Sequence, residues 1–162
     1  MWEIVKTYRE KLPAVRLIGR KYGEKDANPN GGFAEVWGKW FEEGLFGPLD
    51  ALPHASTEPD AYLGFMQLTP GLEYWIGVFC PEGTPPPEGY EALDIQPADL
   101  GVCWIQGPEA EVYGREQACM DALKEAGMTP ILRCMERYQC PRFTTPDEQG
   151  RIILDLCFFL AD

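Results

Sequence analysis

The chain has 162 residues, 45% of them hydrophobic, which suits one domain with a sizeable core. It carries 14 Lys and Arg against 26 Asp and Glu, a net charge of −12 that repels phosphate backbones and anionic membranes and favours cationic ligands. No helix-turn-helix pattern or basic stripe appears, so nucleic-acid binding by this chain is not expected.

Between Met1 and Gly19, the charges Glu3, Lys6, Arg9, Glu10, Lys11 and Arg16 break up any signal-peptide core. No later stretch is apolar for long enough to span a bilayer, and a cytosolic protein is expected. Val15, Leu17 and Ile18, within 14–22, predict a short strand, ended by a turn-rich stretch to Gly32. Phe33, Val36, Trp37, Trp40, Phe41 and Leu45 then recur at helical spacing and predict an amphipathic helix, stopped by Gly44 and Gly47-Pro48. The stretch 48–60 reads as a loop. Residues 62–68 and 74–80 are apolar runs joined by Thr69-Pro70-Gly71, a hairpin signal.

The stretch 81–89, with Pro85, Pro86 and Pro87, reads as a linker or rigid exposed loop. Short strands are predicted around 90–95 and 100–106. A helix over 111–126 follows, with Val112, Cys119, Met120 and Leu123 inward and Gly127 as its stop. The last two strands fall at 131–138 and 152–160. Both halves thus read strand, helix, strand, strand. The expected fold is α+β, a duplicated unit within one domain over 1–162, with pseudo-repeats near 1–80 and 90–162. Two antiparallel sheets would meet along a ligand groove.

The six cysteines, Cys80, Cys103, Cys119, Cys134, Cys140 and Cys157, are irregularly spaced and mostly sit in apolar runs, which points to reduced, buried thiols. With one histidine in the chain, no Cys/His spacing suits zinc and no metal site is expected. In the final strands, Leu132, Cys134, Glu136 and Tyr138 share one face by alternation, and Leu154, Leu156, Phe158 and Leu160 share another. If the two strands pair as a hairpin, Glu136 and Asp155 look into the same space. Glu136 is then either a desolvated carboxylate facing a cationic ligand or acting as acid or base, or a solvated edge residue paired with Arg133, Arg142 or Lys124.

Glu136-Arg137-Tyr138, followed by Pro141-Arg142-Phe143 and Leu154-Asp155-Leu156, resembles the C-terminal signature of the GyrI-like small-molecule-binding family. The run Leu12-Pro13-Ala14-Val15-Arg16-Leu17-Ile18-Gly19 is similar to that family's opening strand. Tyr74 to Val78, 85–89 and 100–107 are similar to its middle. The resemblance implies a cleft formed by two strand-helix-strand-strand repeats, with Glu136 at its centre. It also implies kinship with effector-binding domains of bacterial transcription regulators, alongside stand-alone members. Some of these hydrolyse strained electrophiles of the cyclopropyl-indole class; others only bind, and related proteins sequester toxins or cap partner proteins. Cys157 stands where many members carry Tyr or Trp, and Phe159 where many carry Pro.

Aromatic faces attract flat or cationic ligands. Trp37 and Trp40 lie in the helix's apolar stripe and read mainly as core, Trp40 being kept as a cleft candidate, while Trp75 is ambiguous. The candidate ligand-binding residues are Glu136, Tyr74, Trp104, Tyr113, Tyr138, Trp40, Asp155 and Cys157. The expected function is binding of an aromatic or cationic small molecule, multidrug-like, as an effector sensor or by sequestration, without a cofactor. A protein partner of unknown identity would complete a sequestering role. The alternative is a hydrolase in which Glu136 positions water and Tyr138 or Tyr113 protonates the leaving group. A heme-binding family shares the general fold, which would make His54 an axial ligand; its Pro-rich setting reads instead as a solvated loop.

Overall fold

Period-two alternation along most of the chain resolves into one antiparallel sheet. In a computed structural model, the described residues are 1–29, 31–55, 61–68 and 71–161. The strands are β1 (Glu3–Leu12), β2 (Val15–Tyr22), β3 (Ala61–Gln67), β4 (Glu73–Cys80), β5 (Glu91–Ile95), β6 (Ala98–Gly107), β7 (Pro130–Gln139) and β8 (Ile152–Leu160). The helices are α1 (Ala34–Glu42), α2 (Gly47–Asp50), α3 (Glu109–Val112) and α4 (Glu116–Glu125). The fold is α+β, as expected.

The two sheets expected from the repeat are one sheet, with strand order β1-β6-β8-β7-β3-β4-β2-β5. The halves β6-β8-β7 and β2-β4-β3 join where β3 pairs with β7, so hydrogen bonding runs unbroken from edge to edge. Each outer edge is covered by a strand from the other half, β1 beside β6 and β5 beside β2.

That order forces curvature. β1 and β2 stand six positions apart, about 29 Å in a flat sheet. Yet only Pro13 and Ala14 connect Leu12 to Val15, a reach of roughly 11 Å. The same holds between β5 and β6, joined by Gln96 and Pro97. The sheet therefore curls until its edges approach, and Leu12, Val15, Ile95 and Leu100 meet in one inner core with Phe65, Trp75, Met135 and Phe159.

The outer face carries the helices. Ile18, Ile76, Trp40 and Leu49 pack in the first half, and Ile105, Leu123, Leu156 and Phe158 in the second. Between these two outer cores, the helices leave a gap over β3, β4 and β7.

Three expectations change. β1 is an additional strand; its Glu3, Lys6, Arg9 and Lys11 are exposed along an edge, where charge is the usual guard against further pairing. The helix expected over 111–126 is two helices, because Gly114 adopts a left-handed φ of 74° that breaks the ladder after Tyr113. The loop expected over 48–60 begins with α2, in which Pro48 occupies a first-turn position that needs no amide hydrogen; residues 56–60 of that loop, and Thr69 and Pro70 of the predicted turn, lie outside the described residues.

The proline-rich stretch is tied down. Thr84 is buried, its amide and hydroxyl both donate to the Pro81 carbonyl (3.2 and 2.7 Å), and Arg16 donates to the Thr84 carbonyl at 3.3 Å. All six cysteines are free thiols; five are buried and Cys140 is exposed. Among the described residues, no helix is long and apolar enough to cross a membrane, and no cluster of three His, Cys, Asp or Glu side chains could hold a metal ion.

Candidate functional site

The gap between the helix pairs is a cleft of about 1340 Å³. Its floor is the outer face of β3, β4 and β7, and α1 and the α3–α4 break supply its walls. Alternation along β7 aims Glu136 and Tyr138 into it, while Arg137 between them points to the inner face. The arginine adjacent in sequence is thereby denied to the glutamate.

Hydrogen bonds fix the Glu136 carboxyl in place. Tyr74 on β4 donates its hydroxyl to Glu136 Oε1 at 3.0 Å, and itself accepts the Trp37 indole N–H at 2.8 Å. Tyr138 holds a second hydroxyl against the same carboxyl. The aromatic groups brace one another. Phe33 stacks on Tyr74 with centroids 4.1 Å apart and planes within 2°, and Tyr138 sits edge-on between Trp37 (4.9 Å) and Phe143 (4.8 Å).

Burial among these rings disfavours the charged carboxylate and pushes Glu136 up to about 7, against the opposing pull of the Tyr138 and Tyr74 hydroxyls and with a small push from Glu116. Burial, then the Glu136 charge, raises both Tyr74 and Tyr138 well above the usual phenol range. The phenols therefore stay protonated near neutrality, while Glu136 is poised between its two forms. Such a group can ionise to meet an incoming cation, or exchange a proton.

At the other end of the cleft, Tyr62 on β3 donates to both oxygens of Asp50 (3.1 and 3.0 Å) and stacks on Phe46 at 3.7 Å. Burial and the Asp50 carboxylate push Tyr62 up to about 12. The charged side chains lining the cleft are Asp50, Glu109, Glu116 and Glu136; no Lys or Arg is among its described lining residues. His54 also lines it, with Nε2 at 2.9 Å from the Leu49 carbonyl.

Of the sequence-derived candidates, the fold brings Glu136, Tyr74, Tyr113 and Tyr138 together at this cleft. Two of the pairings open to Glu136 go elsewhere: Arg142 pairs with Asp155 and Arg133 donates to Gln67. Asp155 is elsewhere. The register sets Glu136 opposite Leu156 and Asp155 opposite Arg137, so the two acids point to opposite faces. Asp155 is fully buried and bonded to Arg137 at 3.0 Å and to Arg142 Nε at 2.8 Å. Cys157 packs in the inner core, and Trp104 meets Tyr8 edge-on at 6.2 Å beside it. Trp40 is buried and donates its indole N–H to the Tyr22 hydroxyl at 2.7 Å. Trp75 is inner core.

Trp37, Tyr62, Phe33 and Phe143 line the cleft without having been singled out for it. Trp37 and Trp40, three residues apart in one apolar stripe, have no local signal that separates wall from core.

No family model and no curated relative matches the chain. Solved structures do. A Staphylococcus aureus MU50 protein assigned to bacterial transcription regulation shares 16% identity over 97% of this chain and 99% of its own, with a TM-score of 0.71. SAV2435 bound to tetraphenylphosphonium shares 15% identity over 97% of this chain and 94% of its own, with a TM-score of 0.74. The EcmrR C-terminal domain shares 8% over 97% and 98%, at 0.64. At these identities the likeness is one of fold.

Proposed function

We propose that this chain, which has the GyrI-like fold, binds an aromatic or cationic small molecule in the cleft over β3, β4 and β7, as an effector sensor or by sequestration. One observation carries the reading. The Glu136 carboxyl sits among aromatic rings in a cleft with no Lys or Arg among its described lining residues, held only by hydroxyl donors. A carboxylate drawn partly out of water among aromatic rings ordinarily has a cationic partner; here the partner's place is open to a ligand. Aromatic faces beside it add dispersion and cation–π attraction. SAV2435, of the same fold, is bound to the cation tetraphenylphosphonium, which supports this ligand class.

The test is calorimetric titration of tetraphenylphosphonium into the wild type and Glu136→Gln. The substitution keeps shape and removes charge, and is expected to weaken binding at least tenfold. Equal affinity in both proteins would remove Glu136 from the site. A hydrolytic role would draw on the same carboxyl and phenols, and no separate observation favours it. Cyclopropyl-indole compounds incubated with the protein are expected to be recovered unchanged by mass spectrometry.

A further inference from the structure

The cleft is larger than a compact cation needs. Pockets for drug-sized ligands run to roughly 300–1,000 Å³, and this one encloses about 1340 Å³. Its charge is also distributed. Glu136 is half-buried, opposite Gly64 of β3, whereas Asp50, at the end of α2, is exposed beyond the Tyr62 hydroxyl. Between them lies an aromatic floor: Tyr62 is opposite Tyr138 across the same pair of strands, and its ring is backed by Phe46. Two residues of strand, about 7 Å, separate the Gly64–Glu136 pair from the Tyr62–Tyr138 pair, and the Tyr62 phenol then reaches on to Asp50.

We infer that the preferred ligand is an elongated dication, with one positive centre at Glu136, an apolar or aromatic spacer over Tyr138 and Tyr62, and a second positive centre at Asp50. This rests on the cation-binding reading above and extends it from one charge to two. A monocation would satisfy Glu136 and leave Asp50 facing the spacer's apolar tail. Tyr62 favours the second station in a specific way. By donating to both carboxylate oxygens it fixes Asp50 at the cleft rim instead of leaving the side chain free to turn to water.

Decamethonium and decyltrimethylammonium test the idea, since they share a ten-carbon chain and one head group and differ by the second charge. Hydrophobicity alone favours the monocation, whose tail ends in a methyl group, so the sign of the preference is diagnostic. Wild type is expected to bind decamethonium about tenfold more tightly by calorimetry. Asp50→Asn should bring the ratio of the two affinities to one or below, and Asp50→Glu should restore a preference for the dication. Decyltrimethylammonium binding as well as or better than decamethonium would overturn the two-station ligand and leave the cation-binding cleft standing. A dication preference that survives Asp50→Asn would overturn it as well. If neither compound nor tetraphenylphosphonium bound, both readings would fall together.

Discussion

Gly64 and Glu136 face each other across β3 and β7, and the side chain that Gly64 lacks is the space that Tyr74 and Glu136 use to meet. A methyl group on Gly64 would overlap the Tyr74 hydroxyl and lie 3.0 Å from Glu136 Oε1. Tyr74 is buried and stacked on Phe33, so it has little room to give. Gly64→Ala should therefore break the Tyr74–Glu136 hydrogen bond and cost about 1–3 kcal/mol of stability by overpacking. Losing a hydroxyl that favours the ionised carboxyl should also move the Glu136 titration further upward, read as an alkaline displacement of the pH–affinity curve for tetraphenylphosphonium.

That curve is itself a prediction. A cation binds the ionised carboxylate, and Glu136 in the free protein titrates at about 7. Affinity should rise about tenfold per pH unit below 7 and flatten above it, whereas Glu136→Gln should show a flat profile. Stability runs the other way. The folded value lies above the ordinary value of 4.5, so the folded state holds the proton more tightly than the unfolded chain. The resulting stabilisation is fully present below about 4.5 and is lost as the pH rises to about 7. At pH 8, Glu136→Gln should therefore be more stable than wild type by about 3 kcal/mol, less the worth of its altered hydrogen bonds, and at pH 4 the gain should vanish. Thermal melts at the two pH values decide it.

Alternation along a strand is a local property, and it correctly places Glu136 and Tyr138 on one face of β7. Which residues of β8 share that face is decided by the parity of the register. A connection of twelve residues, 140–151, leaves that parity open, and a slip of one flips every side chain. The realised parity sets Asp155 opposite Arg137 and Leu156 opposite Glu136. The same limit hid the strand β1, whose edge position lets charges occupy the solvent side, and the union of the two sheets through β3 and β7, a contact between residues 66 to 78 apart in sequence. The aromatic wall was half legible: tyrosines on strands are assigned by parity, but Trp37 is distinguished from Trp40 only by what packs around each.

Asp155 makes a different kind of prediction from Glu136. It is fully buried, and its two arginine partners tie β8 to β7 and to the segment after it; Arg137 also reaches Glu10 on β1 at 2.9 Å. Removing one charge from such a network leaves a buried guanidinium short of a partner, which typically costs about 3–5 kcal/mol. Asp155→Asn should lower the melting temperature markedly. In the fraction that remains folded, the tetraphenylphosphonium affinity should be near that of wild type, because the network lies on the opposite face from the cleft. A selective loss of binding without loss of stability would place Asp155 in the site after all.

Trp37 is the one tryptophan of the chain's five that lines the cleft among the described residues, which makes it a reporter as well as a wall. Its indole N–H holds the Tyr74 hydroxyl from α1, and its ring meets Tyr138 edge-on, so both phenols that contact Glu136 are oriented by one side chain. Trp37→Phe keeps an aromatic face but releases the Tyr74 hydroxyl from its donor. Binding of tetraphenylphosphonium should weaken about three- to tenfold, the range expected for one aromatic contact and one hydrogen bond. The ligand-induced change in tryptophan emission should fall close to baseline, because Trp40 and Trp75 are buried in cores, Trp104 sits on the far face of the sheet, and Trp2 packs on the second outer core under Arg115, outside the described lining of the cleft. An emission change that persists undiminished in Trp37→Phe would mean that the ligand enters elsewhere.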